Sequence, residues 1–319
     1  MTVSAAHLHS IDPEALLQIK NLHLQARLLV DGIQSGLHRS PQQGFSVEFD
    51  EYRPYSIGDD PRTLDWRLYA RSDRYCVKKY RDETNRRCFI LLDCSRSMDF
   101  GSLPHTKQQY ARTLAATLAH YLWRQRDAVG LITFDEAIRE VIPARRRHGQ
   151  LQRLTAAIER SASGSSSDLG LPLWHCGEMF TPRGLVVLVS DFLAPLEPLV
   201  QASGLVQALG QEVVWIRVLD PAEMELKFAG AVTLRDAETD RVIQIDPAAA
   251  AQDYRRRFDE HAAALEAVAQ QHGVRLLQTT TDRPISSLLL EWLATQASGP
   301  GRRGYRSSGS SGSSGRRRA

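Results

Sequence analysis

The sequence has few cysteines and no pattern among them. Cys76, Cys88, Cys94 and Cys176 include no C-x-x-C pair and have no His at metal-ligand spacing. Such sparse thiols fit a reducing compartment. Long apolar runs are also missing: none approaches the ~18 residues of a membrane span, so none is expected. The opening stretch, MTVSAAHLHSIDPEALL, lacks the charged start, apolar core and small-residue cleavage site of a secretory leader. The expected location is cytoplasmic, which counts against a secreted adhesion role. A strong charge of one sign is absent from the body. The formal charge is +3, yet Arg302, Arg303, Arg306, Arg316, Arg317 and Arg318 all fall after Ser298, where there is no acid. The rest carries 34 basic and 37 acidic residues. A mildly acidic body argues against nucleic acid as the main partner. The tail itself, SGPGRRGYRSSGSSGSSGRRRA, is Gly, Ser and Arg and cannot bury a core; it is expected to be disordered.

A length of 319 residues implies about two domains, or one large α/β unit with additions. Ser10 to Ile33 reads as a helix, with Asp12 or Ser10 as cap and Leu16, Ile19, Leu22, Ala26, Leu29 and Ile33 on one stripe. Leu37 to Asn85 differs: short alternating runs separated by Gly, Pro and Asp-Asp turns predict strands and tight turns. From Glu48 to Asn85 eight Lys or Arg balance nine Asp or Glu, which favours internal ion pairs over a polyanion surface. Within it Arg62, Asp65, Trp66, Arg67, Arg71 and Asp73 form either a partner surface or, the preferred reading, ion pairs that pack this unit onto the next domain.

From Arg87 strands and helices alternate. CFILLD, AVGLITF, GLVVLVSDF, EVVWIRVL and GVRLLQTTT are strand-length apolar runs. AIREVIPA follows AVGLITF too closely for a crossover helix and should pair antiparallel as an edge hairpin. Glu225 to Ile245 reads as a small hairpin. The fold expected is a Rossmann-like, doubly wound, mostly parallel sheet with helices on both faces, preceded by an N-terminal helix and a small β-rich unit. The expected boundaries are residues 1–36 for the helix, 37–86 for the β-rich segment, 87–296 for the α/β domain and 297–319 for the tail.

In such sheets ligands bind outside the carboxyl ends of the strands. Two buried strands each deliver an Asp there, Asp93 in FILLDCSRSMDF and Asp191 in LVSDF. Nucleophilic chemistry fits poorly. Arg96 follows Cys94 too closely to close a phosphatase-type cradle, Ser95 lies in no G-x-S-x-G elbow, and DCSRSMDFGS has no Walker-type Lys. Gly130 and Gly210 are isolated and make no dinucleotide fingerprint. Hard oxygen ligands fit better. Asp93, Ser95 and Ser97 can turn inward on one loop, SGSSSDLG (163–170) offers another hydroxyl, and Asp191 supplies the second carboxylate. That set suits Mg²⁺ or Mn²⁺. The bland alternative is that both Asp cap helices and the Ser satisfy loop amides.

LLDCSRSM with SSDLG and LVSDF resembles the metal-ion-dependent adhesion site of von Willebrand factor A domains. The resemblance implies that Asp93, Ser95, Ser97, Ser167 and Asp191 hold the ion, the carboxylates directly or through water. The second-loop hydroxyl is usually Thr; here it is Ser, and Ser165 or Ser166 could replace Ser167. The segment GLHRSPQQGFSVEFDEYRPYSIGDDPRTLDWRLYARSDRYCVKKY resembles the signature that precedes the A-type domain in the bacterial domain-of-unknown-function 58 family. The resemblance covers roughly Asp12 to Leu293. It implies a non-enzymatic adaptor or chaperone-like factor that works with a MoxR-type AAA+ ATPase and binds a partner carboxylate through Mg²⁺. The rivals are a Mg²⁺-dependent phosphohydrolase, which here lacks a convincing base or nucleophile, and a structural protein whose ion only staples loops.

Overall fold

The computed structural model describes residues 19, 21–38, 51–54, 68–69, 75–79, 86–160, 164, 166–179, 184–224, 232–235, 242–245 and 247–297. Arg62, Asp65, Trp66, Arg67, Arg71 and Asp73, the Ser10–Gln18 part of the expected first helix, and the Gly/Ser/Arg tail lie outside the described residues.

A six-stranded sheet organises the chain. Its strands are β3 (Arg87–Asp93), β4 (Ala128–Phe134), β5 (Ile138–Arg145), β6 (Leu185–Ser190), β7 (Glu212–Leu219) and β10 (Arg275–Thr280), in the spatial order β10-β7-β6-β3-β4-β5. All pairings are parallel except β4–β5, the antiparallel edge hairpin expected from the short connection. Strands β3 and β6 lie at the centre and are buried on both faces, as near-continuous apolar runs require. Gly130 in β4 is where β5 crosses closely: a Cβ there would meet the Ala144 amide nitrogen at 2.7 Å and the Phe89 ring at 2.7 Å.

The period-2 alternation splits each strand between two cores. Ile90, Leu92, Leu131, Val187 and Ile216 face one side, covered by α2 (Lys107–Arg124), α3 (Gln150–Arg160) and α8 (Ile285–Ala297). Phe89, Leu91, Ile132, Leu188 and Trp215 face the other, covered by α4 (Leu171–Met179), α5 (Glu197–Ala208) and α7 (Pro247–Gln271). This is the doubly wound arrangement predicted. Helix α2 starts sharply because Thr106 and Gln109 form a reciprocal capping box. Its inner face carries Ala111, Ala115 and Ala119, whose small side chains let it lie close to the sheet.

The first helix differs from expectation. Among the described residues the first helix, α1, spans Leu22–His38, so it runs past the Ile33 end of the predicted stripe. Ile19 and Asn21 are not helical. Asn21 is the reason: its Oδ1 accepts from the Leu24 amide at 2.9 Å, an N-cap contact that competes with continuing the helix upstream. Leu22, Ala26, Leu29 and Ile33 are buried as predicted. They pack α1 onto α2, which makes a third layer on that side. Polar ties fix the docking: Thr113 Oγ1 to Gln25 Oε1 at 3.2 Å, and Arg124 to Asp31 at 2.6 Å. Away from the main sheet, β1 (Glu51–Pro54) pairs antiparallel with β2 (Cys76–Lys79), and β8 (Val232–Arg235) with β9 (Val242–Ile245), the hairpin expected between Glu225 and Ile245. The turn α6 (Pro221–Met224) follows β7 directly. Among the described residues no helix is long and apolar enough to cross a membrane.

Candidate metal centre

Four neighbouring parallel strands end in Asp at the carboxyl edge. Across the sheet they run Asp220 (β7), Asp191 (β6), Asp93 (β3) and Asp135 (β4), all buried. Each places Oδ1 on the amide two residues ahead: Asp93 on Ser95 at 2.9 Å, Asp135 on Ala137 at 3.0 Å, Asp191 on Leu193 at 3.1 Å, and Asp220 on Ala222 at 2.9 Å. These Asx turns stop the strand and turn the chain. What the second carboxylate oxygen faces then separates the four. Asp135 Oδ2 receives Arg139 at 2.6 Å. Asp220 is tied to the Ser102 amide at 2.8 Å and to the Ser102 hydroxyl. Asp191 Oδ2 receives the Lys107 ammonium at 2.8 Å. Asp93 Oδ2 receives two hydroxyls, Ser167 at 3.0 Å and Ser190 at 2.6 Å.

Asp93, Ser95, Ser97 and Ser167 are thereby brought together. Ser95 and Ser97 share an Oγ–Oγ hydrogen bond of 3.1 Å over a 3-10 turn, Arg96–Asp99. Ser167 is the second-loop hydroxyl bonded to Asp93; Ser166 is half-buried, and Ser165 lies outside the described residues. The intervening Cys94 is buried in the core and Arg96 is exposed. Asp191 lies near enough for its charge to act on Asp93. Burial, then that charge, push the Asp93 carboxyl up to about 6, against the hydrogen bonds of Ser190 and Ser95. The second loop is seated through Gly164, whose amide donates to Cys94 O at 2.7 Å.

A close approach and a strained residue mark the same edge. A Cβ on Gly164 would fall 1.6 Å from Asp135 Oδ2. Phe192, directly after Asp191, has φ +56, a left-handed conformation costly for an aromatic residue. It is held there by Ser190 Oγ, which accepts from its amide at 3.0 Å, and by a 2.6 Å contact of its carbonyl with His261 Nε2.

The donors are carboxylate and hydroxyl oxygens. Among the described residues no group of three or more His, Cys, Asp and Glu could hold a metal. A soft or imidazole-seeking ion therefore has no match here, while the hard-oxygen set fits Mg²⁺ or Mn²⁺. A hydroxyl that donates its proton to Asp93 keeps its lone pairs for a cation.

Sequence reasoning missed the cations. Lys107 is buried and joins Asp191 and Glu223; burial alone would push its ammonium down, but those two charges outweigh it and hold it above the usual lysine range. Arg217 on β7 is buried too, with Nε donating to Asp191 O at 3.2 Å and its guanidinium 5.0 Å from the Phe258 ring centroid. Signals for both were present. A lysine at the first position of α2 opposes the helix dipole, and an arginine interrupts the apolar run EVVWIRVL.

Comparison with known proteins identifies relatives, structural neighbours and a family. The chain is 29% identical over 293 residues to uncharacterized protein Rv1480 of Mycobacterium tuberculosis, covering 90% of this chain and 92% of that one. Among solved structures it is similar to the conserved hypothetical protein BatB of Bacteroides thetaiotaomicron, at 15% identity and a TM-score of 0.46, over 67% of this chain and 100% of that one. It is also similar to the SpRpn10 VWA domain, at 11% identity and a TM-score of 0.40, over 65% of this chain and 94% of that one. The family described as "Protein of unknown function DUF58" matches residues 51–268, two thirds of the chain, and the protein belongs to it.

Proposed function

We propose that this chain is a divalent-ion-dependent protein-binding module, an adaptor or chaperone-like factor built on a von Willebrand factor A-like domain. Asp93, Ser95, Ser97 and Ser167 would hold Mg²⁺ or Mn²⁺, with Asp191 beside them. When bound, the ion supplies a coordination position that a Glu or Asp of a partner can fill. The observation that carries the reading is the gathering of hydroxyls from two loops at one buried carboxylate, Asp93, which no Lys or Arg pairs among the described residues. The chain's part is to fix those oxygens: the Asx turn sets Asp93, the 3-10 turn sets Ser95 and Ser97, and Gly164 seats the loop that carries Ser167.

The partner proposed is a MoxR-type AAA+ ATPase, supported by family membership and by the resemblance of the segment before the A-type domain. In this reading Arg62, Asp65, Trp66, Arg67, Arg71 and Asp73 serve the β-rich segment as packing ion pairs or as a second contact. A phosphohydrolase would need a base beside the ion. The side chains bonded to Asp93 are hydroxyls, and His105 and His261 each contact a backbone carbonyl, of Thr281 and Phe192.

Affinity purification from the native host, wild type beside Asp93→Ala and with or without EDTA, tests the proposal. An AAA+ partner lost in both Asp93→Ala and EDTA supports it. Binding that survives both removes the ion-bridging role. A melting temperature that rises with Mg²⁺ while partner binding ignores it would favour the loop-stapling alternative.

A further inference from the structure

Lys107 has no place in the adhesion-site resemblance, yet it is one of the most completely buried side chains of the carboxyl edge, at 0% exposure. A cation at the first position of a helix meets the positive end of its dipole, and a buried ammonium is costly unless carboxylates surround it. Two do. Asp191 Oδ2 lies 2.8 Å away, and Glu223 Oε1 is also in contact. Glu223 is held in turn by the Asp220 amide at 2.9 Å, and the Phe100 ring centroid lies 6.0 Å from the ammonium. Tying α2 to β6 does not call for this; a hydroxyl or an amide would do so without desolvating a charge. The target is what distinguishes it. Asp191 is the second carboxylate of the candidate centre, and both its oxygens are engaged, Oδ1 by the Leu193 amide and Oδ2 by Lys107.

We propose that Lys107 is a built-in rival of the divalent ion for Asp191: its tethered ammonium keeps the chain's own hold on the ion weak, so that tight capture depends on a carboxylate supplied by the partner. This inference rests on the metal-binding reading above. Lys107 acts through Asp191 and is thus a positioning residue. A positive charge fixed beside a cation site repels the cation, and the effect is large where water is excluded. Ion and acidic ligand then bind with positive coupling, each tightening the other by the same factor. The ligand class follows: a Glu or Asp side chain, because a neutral carbonyl or hydroxyl does not offset the ammonium.

The test is calorimetric titration of the full chain with Mn²⁺, alone and with acetate as anionic probe. Wild type, Lys107→Met, Glu223→Gln and Asp93→Ala are compared. Lys107→Met should bind Mn²⁺ alone about tenfold or more tightly and lose most of the gain that acetate gives wild type. Glu223→Gln, which leaves the ammonium wholly to Asp191, should bind Mn²⁺ more weakly. Opposite signs are the signature. A purely structural staple would weaken or leave unchanged the binding in both variants while lowering both melting temperatures, and that result overturns the proposal. If Lys107→Met does not fold, unchanged or tighter binding by Glu223→Gln overturns it. Failure of the metal reading looks different: no Mn²⁺ binding by any variant, or binding that survives Asp93→Ala.

Discussion

Asp93 makes the metal reading measurable through pH. Its carboxyl is pushed from the ordinary 3.8 up to about 6, by burial first and by Asp191 second. A raised acid favours its protonated form in the fold. Its stability contribution is complete below the unfolded value and is lost as pH rises through about 6. Two pH units at about 1.4 kcal/mol each give a penalty of roughly 3 kcal/mol for the ion-free protein at neutral pH. A divalent cation binds the ionised form and relieves this penalty, whereas a proton competes with it. Urea unfolding at about pH 7.5 and about pH 5, each with and without millimolar MgCl₂, reads both effects. Mg²⁺ should stabilise strongly at the higher pH and much less at the lower, with affinity falling toward tenfold per unit below 6. Asp93→Asn, which keeps the shape and removes the charge, should be more stable than wild type without ion at pH 7.5, by up to ~3 kcal/mol, and should ignore Mg²⁺. Equal stabilisation by Mg²⁺ at both pH values would refute the reasoning. So would an Asn variant that is as destabilised at pH 7.5 as at pH 5.

Three further outcomes follow from the packing. Leu188→Ala opens a cavity in the central strand, where the side chain is fully buried, and should cost ~2–5 kcal/mol in urea unfolding; a loss under 1 kcal/mol would show that the core collapses around it. Gly164→Ala drives a Cβ into Asp135 and should unseat the loop that bears Ser167, so Mn²⁺ affinity should fall more than thermal stability does; wild-type affinity would show that this seat is dispensable. His120 is pushed down to about 4, by burial first and then by Arg124 and His23, so α1 docking should weaken as pH falls from 6.5 towards 4. Hydrogen exchange of α1 amides should report this loosening in wild type and not in His120→Gln, since Gln does not titrate.

The sheet was legible because its strands are apolar on both faces and short, so FILLD, AVGLITF and LVVLVS admit few other readings. The β4–β5 hairpin followed from connection length alone. The expected helix does not run unbroken through Ile19 and Asn21, because an apolar stripe reports a face and says little about ends; an Asn21 contact caps the helix that starts at Leu22. Similarly, D-x-S-x-S shows that three oxygens alternate along a loop. It does not show that Ser190, a residue of β6, spends its hydroxyl on Asp93, because that contact spans 97 positions. The ammonium at Asp191 was hidden for the same reason: Lys107 and Asp191 meet only when α2 starts at the edge where β6 ends, a product of sheet order that local spacing does not encode.

The repeated Asp at the strand ends also limits what the motif can mean. All four form the same turn with Oδ1, so an Asp after an apolar strand is first a device for stopping that strand. What separates the four is the company of the other oxygen. Asp135 gives it to Arg139, Asp191 to Lys107, and Asp220 takes the Ser102 amide and hydroxyl in addition to its turn. Asp93 gives it to hydroxyls, and it does so beside another carboxylate that raises its pKa. A fold that needed only a turn at this position could use the Arg139 solution, as it does one strand away. It places instead a buried acid among hydroxyls that can accept a cation while donating to that acid. The difference between neighbouring strands that share one turn is therefore the strongest physical argument for the proposed ion site.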